Sequence, residues 1–259
     1  MSTPGTQLSI KVPLVTLYFW IIKIMATTVG ETAADFLNFD MKLGLVKTSW
    51  LMAALLVIAL IVQIAARRYV PWKYWLAVVF LSIFGTLVTD NLSDNYGVSL
   101  IVTTIGFSAA LIATFLAWHA SEHTLSIHSI TSRRRELFYW SAILFTFALG
   151  TAAGDLVAEK LALGYAISAL LFGGAIALVT LAYFKFGLDS VWAFWIAYVL
   201  TRPFGASCGD LLSQATKDGG LGLGTIGTSA LFLAVIVGLV GYLTHTRSDT
   251  LPDDANARA

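Results

Sequence analysis

Gly150-Thr151-Ala152-Ala153-Gly154-Asp155-Leu156-Val157-Ala158-Glu159 closes a long apolar run with two carboxylates four residues apart. On a helix that spacing puts both on one face. The stretch recurs three times, as Ala26 to Asp35, Gly85 to Asp94 and Gly205 to Gln214. The first acids of the four blocks are Glu31, Asp90, Asp155 and Asp210, and the steps between them are 59, 65 and 55 residues. Second acids follow at Asp35, Asp94 and Glu159, and Gln214 replaces the acid in the last block.

The rest of the chain is scaffolding for these blocks. Of 259 residues, 58% are hydrophobic and 12% charged, with a mean hydropathy of +0.80. Soluble domains carry about 25% charged residues, so the composition points to a lipid bilayer as the main partner. The net charge of +1 leaves no footprint for nucleic acid. The one cysteine, Cys208, excludes an internal disulfide and a thiolate metal site. There is no phosphate-binding glycine loop and no nucleophile elbow, so neither ATP coupling nor a hydrolase is expected, and no cofactor is implied. The start of the chain lacks a cleavage signal: Lys11 is its only early cation and Lys23 interrupts the apolar run from Val12.

Eight apolar segments can be drawn, each near the ~20 residues a spanning helix needs. They cover about 13–36, 48–66, 71–94, 97–118, 137–160, 163–184, 190–214 and 223–244. The expected fold is an all-α integral membrane protein of eight helices, built as four parallel two-helix repeats over about 12–68, 71–127, 136–187 and 190–245. Each unit reads as a helical hairpin. Residues 1–11 form a cytoplasmic N-terminal segment, 12–245 the membrane domain and 246–259 a disordered cytoplasmic tail. Trp75, Trp140 and Trp195 stand 15 positions before the first acid of their block, and Trp72 and Trp192 stand 18 before. In the first repeat Thr16 holds the tryptophan position and Trp20 lies one turn inward. Tryptophan favours the membrane interface. Fifteen residues rise ~22 Å against a ~30 Å hydrocarbon core, which places the acids roughly 8 Å inside the far face.

Basic residues give the orientation. The termini and the loops between repeats hold ten of them (Lys11, Arg67, Arg68, Lys73, Arg133, Arg134, Arg135, Lys185, Arg247, Arg258). The turns within repeats hold four, Lys42, Lys47, Lys160 and Lys217. Both termini are therefore expected in the cytoplasm and the acidic blocks on the outer side.

These repeats, with tryptophan-bearing first helices and small-x-x-Gly-acid blocks, resemble bacterial multi-pass membrane proteins built from the repeat called domain of unknown function 347, often described as uncharacterised membrane-anchored proteins. The resemblance covers about residues 12–245. It implies an eight-span bacterial inner-membrane protein and carries no activity or ligand.

Function is therefore read from the residues. A carboxylate deep in a bilayer costs ~2.5–3.5 kcal/mol unless it faces a cavity, a partner or an ion. Clustered carboxylates cannot all stay ionised, so protons or cations must neutralise them. Glu31, Asp90, Asp155 and Asp210 are the candidate ion, proton or metal ligands, with Asp35, Asp94 and Glu159 as a vestibule. Thr27, Thr28, Thr86, Thr89, Asn91, Thr151 and Ser207 offer further oxygens. An all-oxygen set suits Mg²⁺, Ca²⁺ or Mn²⁺. Gly30, Gly154 and Gly209 immediately precede acids, and Gly85, Gly150 and Gly205 lie five before one; such residues let helices approach closely. Lys23 and Arg202 each lie eight positions before a first acid and are expected to pair with block acids on neighbouring helices, which leaves an anion-binding role open too. Pro203 should loosen its helix and expose carbonyls. His119-Ala120-Ser121-Glu122-His123 matches a metallopeptidase string, but once and without a companion ligand, so it reads as a solvated helix end. The leading expectation is a proton-coupled cation transporter and not an enzyme. The competing one is a non-transporting membrane subunit whose acids hold its helices together.

Overall fold

The computed structural model describes residues 10–250. It has eight long helices: α1 Leu17–Asp35, α2 Leu45–Ala65, α3 Pro71–Asp90, α4 Leu100–Glu122, α5 Arg133–Asp155, α6 Gly164–Phe186, α7 Ser190–Ser213 and α8 Gly224–Thr246. Local chemistry sets their starts. Thr16, Ser99, Ser132 and Asp189 accept hydrogen bonds from first-turn N–H groups of α1, α4, α5 and α7. Pro71 opens α3, where its missing N–H costs nothing. Gly187 ends α6 in the left-handed conformation that glycine tolerates best.

Six helices, all but α1 and α7, are long and apolar enough to cross a membrane. The other two carry Lys23 and Glu31, and Arg202 and Asp210, among their buried residues.

The first helices α1, α3, α5 and α7 form a closed inner ring, each touching the next and α7 touching α1. Glycine decides how they cross. A Cβ on Gly30 would overlap Ser82, one on Gly85 would lie 2.6 Å from the Phe147 Cβ, one on Gly150 would overlap the Arg202 stem, and one on Gly205 would overlap Thr27. Each glycine thus receives a residue from the next helix round, and the fourth closes on the first. The four glycines advance by 55, 65 and 55 residues, as do the residues they receive, Thr27, Ser82, Phe147 and Arg202. That is a pseudo-four-fold axis written in packing.

This ring corrects the register of the first repeat. The same steps carry Asp35 to Asp90, Asp155 and Asp210, and Trp20 to Trp75, Trp140 and Trp195. Asp35, not Glu31, is the repeat acid; Glu31 stands level with Thr86, Thr151 and Ala206.

The second helices lie outside the ring, and the hairpin expectation fails there. α2 packs chiefly on α3, α4 on α5, α6 on α7 and α8 on α1, so each covers the inner helix of the following repeat rather than its own. Their outer faces are apolar: on α6 only Ser168 is buried while Leu170, Leu171, Leu178 and Leu181 are exposed.

The tryptophan ruler also changes. Trp75, Trp140 and Trp195 are at most 4% exposed and pack into an aromatic cluster with Phe19, Tyr74, Tyr139, Phe194 and Tyr198 at the N-terminal end of the ring. Their rings turn inward, into the protein. Trp72 and Trp192 do face outward. Their 18-residue spacing to Asp90 and Asp210 corresponds to a helical rise of ~27 Å.

The described segments on either side of the helices, before α1 and after α8, are tied down at this aromatic end. Lys11, counted above as a topology cation, is buried: its Nζ donates to Glu136 Oε2 at 2.6 Å and to the Ile64 carbonyl at 2.9 Å. Asp249, placed in the tail by the sequence reading, is buried as well. Its backbone oxygen accepts from the Leu14 N–H at 2.9 Å and its carboxylate from Tyr69 Oη at 2.5 Å. Residues 1–9 and 251–259, where the remaining terminal expectations fall, lie outside the described residues.

Candidate functional site

All seven block acids line one cavity of about 440 Å³ at the C-terminal ends of the ring helices. Exposure grades along it. Glu31 and Asp210 are buried, Asp35, Asp90 and Asp155 half-buried, and Asp94 and Glu159 exposed at the rim. One oxygen each of Glu31, Asp155 and Asp210 falls within 4.8 Å of the other two. Asp90 and Asp35 line the same cavity outside that trio. Two carboxylates ~4.8 Å apart repel by about 3.5 kcal/mol at an effective dielectric constant of ~20, so the trio needs positive charge.

Arg202 supplies part of it. Its Nη2 donates to Glu31 Oε2 at 2.9 Å, to Thr151 Oγ1 at 2.6 Å and to Thr86 Oγ1. Nη1 donates to the Thr27 carbonyl at 3.4 Å. One guanidinium from the fourth repeat therefore reaches the equivalent level of the other three. Gly150 makes room for its stem. The expected pairing of Arg202 with a block acid is present, and that acid is Glu31. Replacing a buried pair can be neutral, whereas removing one member leaves a costly lone charge.

Lys23 departs from expectation. Its Nζ has no hydrogen-bond partner and no carboxylate. It sits over the rings of Phe147 at 4.4 Å and Tyr198 at 4.3 Å from the centroids. It is not a counter-ion to the acidic blocks.

Most of the expected hydroxyl ligands are spent on helix packing. Thr27 donates to the Ile24 and Thr201 carbonyls, Thr28 to Gly205 at 3.0 Å and Thr89 to Ala148 at 2.9 Å. Asn91 donates to Ser49 and to the Leu87 carbonyl. These are staples between or within helices. Thr86 and Thr151 serve Arg202, and Ser207 Oγ has no partner. Nor does Pro203 break α7, which runs unbroken from Ser190 to Ser213.

What sequence reasoning missed is the rim. After Asp35, Asp90 and Asp155 the first three inner helices change to a π-helical turn, at Phe36–Asp40, Asn91–Asn95 and Leu156–Lys160. Bonds from Met41, Tyr96 and Leu161 N–H to the carbonyls of Phe36, Asn91 and Leu156 close them, five residues apart. The turns bring Asn38, Ser93, Asp94 and Glu159 to the cavity wall. The fourth repeat lacks the turn. There the 219–223 loop folds back, and its N–H groups satisfy the carbonyls of Leu211, Leu212 and Gln214 instead. Tyr165 and Asp218 also line the cavity and carried no repeat signal.

At the other end of the molecule, the histidine string closes α4. Glu122 accepts from Arg135 Nε at 2.7 Å and faces Arg134, while His123 caps α4 with φ of 54°.

Fold and site together define a four-repeat, all-helical protein with six helices fit to cross a membrane and an acidic cavity at one end of a pseudo-four-fold axis. The family model described as Repeat of Unknown Function (DUF347) matches at residues 18–69, 73–124, 138–188 and 193–249, and the chain belongs to this family. No curated protein and no solved structure matches it. The starts of the four matches, residues 18, 73, 138 and 193, repeat the 55, 65 and 55 steps of the glycine ring. Asp35, Asp90, Asp155 and Asp210 thus hold one position of the family repeat.

Proposed function

We propose that this chain spans a membrane eight times, as four parallel repeats, and exchanges a small cation for protons through the acidic cavity. The observation that carries the reading is the convergence of all seven block acids on one cavity, with three carboxylate oxygens inside 4.8 Å. Arg202 bonds Glu31, and its single charge cannot offset Asp155 and Asp210 as well, so these need a cation or protons, and one competes with the other. Oxygen donors only, with water able to complete the shell, favour a hard divalent ion such as Mn²⁺, Mg²⁺ or Ca²⁺. Glu31 is then a fixed electrostatic partner of Arg202. Asp155, Asp210, Asp90 and Asp35 are the exchanging groups, and Asp94 and Glu159 the vestibule.

The outward apolar faces of α2, α4, α6 and α8 support contact with lipid. The basic residues of the loops between repeats support an orientation with cytoplasmic termini and the cavity on the outer side. The buried Lys11 drops out of that count.

The test is uptake or extrusion of a panel of divalent ions by Asp155→Asn and Asp90→Asn proteins, with protein yield measured beside it. Lost transport at normal yield and thermal stability is expected. Full activity of both variants refutes the site. Low yield and low stability instead favour the second reading, a non-transporting subunit, which the Arg202–Glu31 pair, held also by Thr86 and Thr151, supports at least for Glu31.

A further inference from the structure

The acidic cavity offers few metal ligands for the space it encloses. Only one oxygen each of Glu31, Asp155 and Asp210 falls within 4.8 Å of the other two. One Glu31 oxygen is already held by Arg202. The hydroxyls of Thr27, Thr28 and Thr89 donate to carbonyls, and those of Thr86 and Thr151 accept from Arg202. Hard divalent ions take about six to eight oxygens. Three carboxylate oxygens therefore leave at least half of the shell to water.

The cavity has room for that water. Its volume is about 440 Å³, whereas six waters occupy ~180 Å³ at their share of liquid volume. The wall beyond the trio is made of groups that bond water: Asp35, Asp90, Asp94 and Glu159, with Asn38 and Ser93. Among the described residues none of these four acids forms an ion pair. At the base, Asp210 calls for a donor that the protein does not supply. It is 8% exposed, yet among the described residues nothing donates a hydrogen bond to its carboxylate. The missing donor has to come from the cavity that Asp210 lines. A bare buried acceptor is costly, and a water polarised by a divalent ion is a strengthened donor.

We propose that the cavity takes its divalent ion with the water shell on, Glu31, Asp155 and Asp210 accepting hydrogen bonds from the ion's waters instead of bonding the metal. This site rests on the cation reading above for the presence of an ion, and it names the class of ion taken: one that gives up water reluctantly, Mg²⁺ first. Three acceptors within 4.8 Å of one another suit one triangular face of an octahedral aquo ion, whose waters stand ~3 Å apart at ~2.1 Å from the metal. Arg202 fixes one corner of that triangle by holding Glu31. The acids of the outer wall receive the remaining waters.

Two measurements on the whole chain in detergent test it, at pH 8 and ~0.15 M salt to screen loose attraction to the acids. Hexaamminecobalt(III) presents outward N–H donors in the same octahedral shape and does not release its ligands. It should displace Mn²⁺ at concentrations within tenfold of those Mg²⁺ needs, and Asp210→Asn should weaken both at least tenfold. Water-proton relaxation by bound Mn²⁺ counts the waters left on the metal and needs no variant, so it decides even where Asp210→Asn does not fold. A nearly complete shell is expected. Mn²⁺ that binds but sheds half its waters and resists the cobalt ion overturns the inference and leaves the cation reading standing. Displacement unchanged in a folded Asp210→Asn protein overturns it too, because the cobalt ion then sits elsewhere. A wild type that binds neither Mn²⁺ nor Mg²⁺ overturns both readings.

Discussion

Removal of Arg202 separates a structural pair from a working site. Arg202→Met keeps the stem that fills the space over Gly150 but removes three hydrogen bonds from Nη2 and one from Nη1. It also leaves Glu31, only 6% exposed, facing Asp155 and Asp210 within 4.8 Å without its cation. Breaking a buried pair on one side costs about 3–5 kcal/mol. The repulsion worked out above, about 3.5 kcal/mol per ionised pair, lies in that range. At roughly 2–4 °C per kcal/mol for a chain of this size, the melting temperature should fall by ~6–20 °C. The double variant Glu31→Gln/Arg202→Met removes both charges and should recover most of the loss. Thermal unfolding in detergent, followed by the fluorescence of the eight tryptophans, reads both. A double variant no more stable than Arg202→Met would refute the view that charge imbalance, rather than lost packing, dominates at the base of the cavity.

Other outcomes follow from the same geometry. Gly85→Ala puts a methyl 2.6 Å from the Phe147 Cβ and should destabilise by about 1–3 kcal/mol, whereas Gly106→Ala meets open space and should be neutral or stabilising by up to ~1 kcal/mol in the same melts. Mn²⁺ at 100 times its dissociation constant should stabilise the wild type by about 2.7 kcal/mol at pH 8. Because protons compete for the same carboxylates, that gain should shrink by pH 5 and be lost in Asp155→Asn. Burial pushes the Asp249 carboxyl above its ordinary value. As pH rises from about 4 the unfolded chain therefore ionises first, and the wild type should lose stability relative to Asp249→Asn between pH 4 and 7.

The helices were legible because each is a long apolar run closed by a cap or a glycine, and the observed boundaries depart from the reading by only a few residues at most ends. The acidic blocks were legible through recurrence. The register of the first block was not, because Gly30-Glu31 imitates Gly154-Asp155 and Gly209-Asp210. The correcting signal was present: Gly30 lies five before Asp35 and Trp20 fifteen before, as in the other three repeats. Hairpin pairing was inferred from adjacency in the chain, yet ridge and groove complementarity places each outer helix on the next repeat. Lys23 was assigned an acid because charge usually seeks charge. Two aromatic faces do the same work here, and neither belongs to its own helix. The π turns and the Lys11–Glu136 and Tyr69–Asp249 contacts arise from tertiary packing that no local pattern announces.

The closed glycine ring also bears on how the chain is threaded. The crossing of α7 with α1 uses the same contact as the three crossings between consecutive repeats. The described ends also meet, at the aromatic end, with the Leu14 N–H bonded to the Asp249 carbonyl. Nothing in the glycine crossings therefore marks one repeat as the first. A circularly permuted chain that starts at Pro71, with the old ends joined by a flexible linker, has every ring contact available to it. A tetramer of one two-helix unit would repeat one such crossing four times, since each outer helix already serves its neighbour. Fusion into one chain adds what a symmetric tetramer cannot hold: a lone Arg202, a lone Lys23 and a Glu31 level with two threonines.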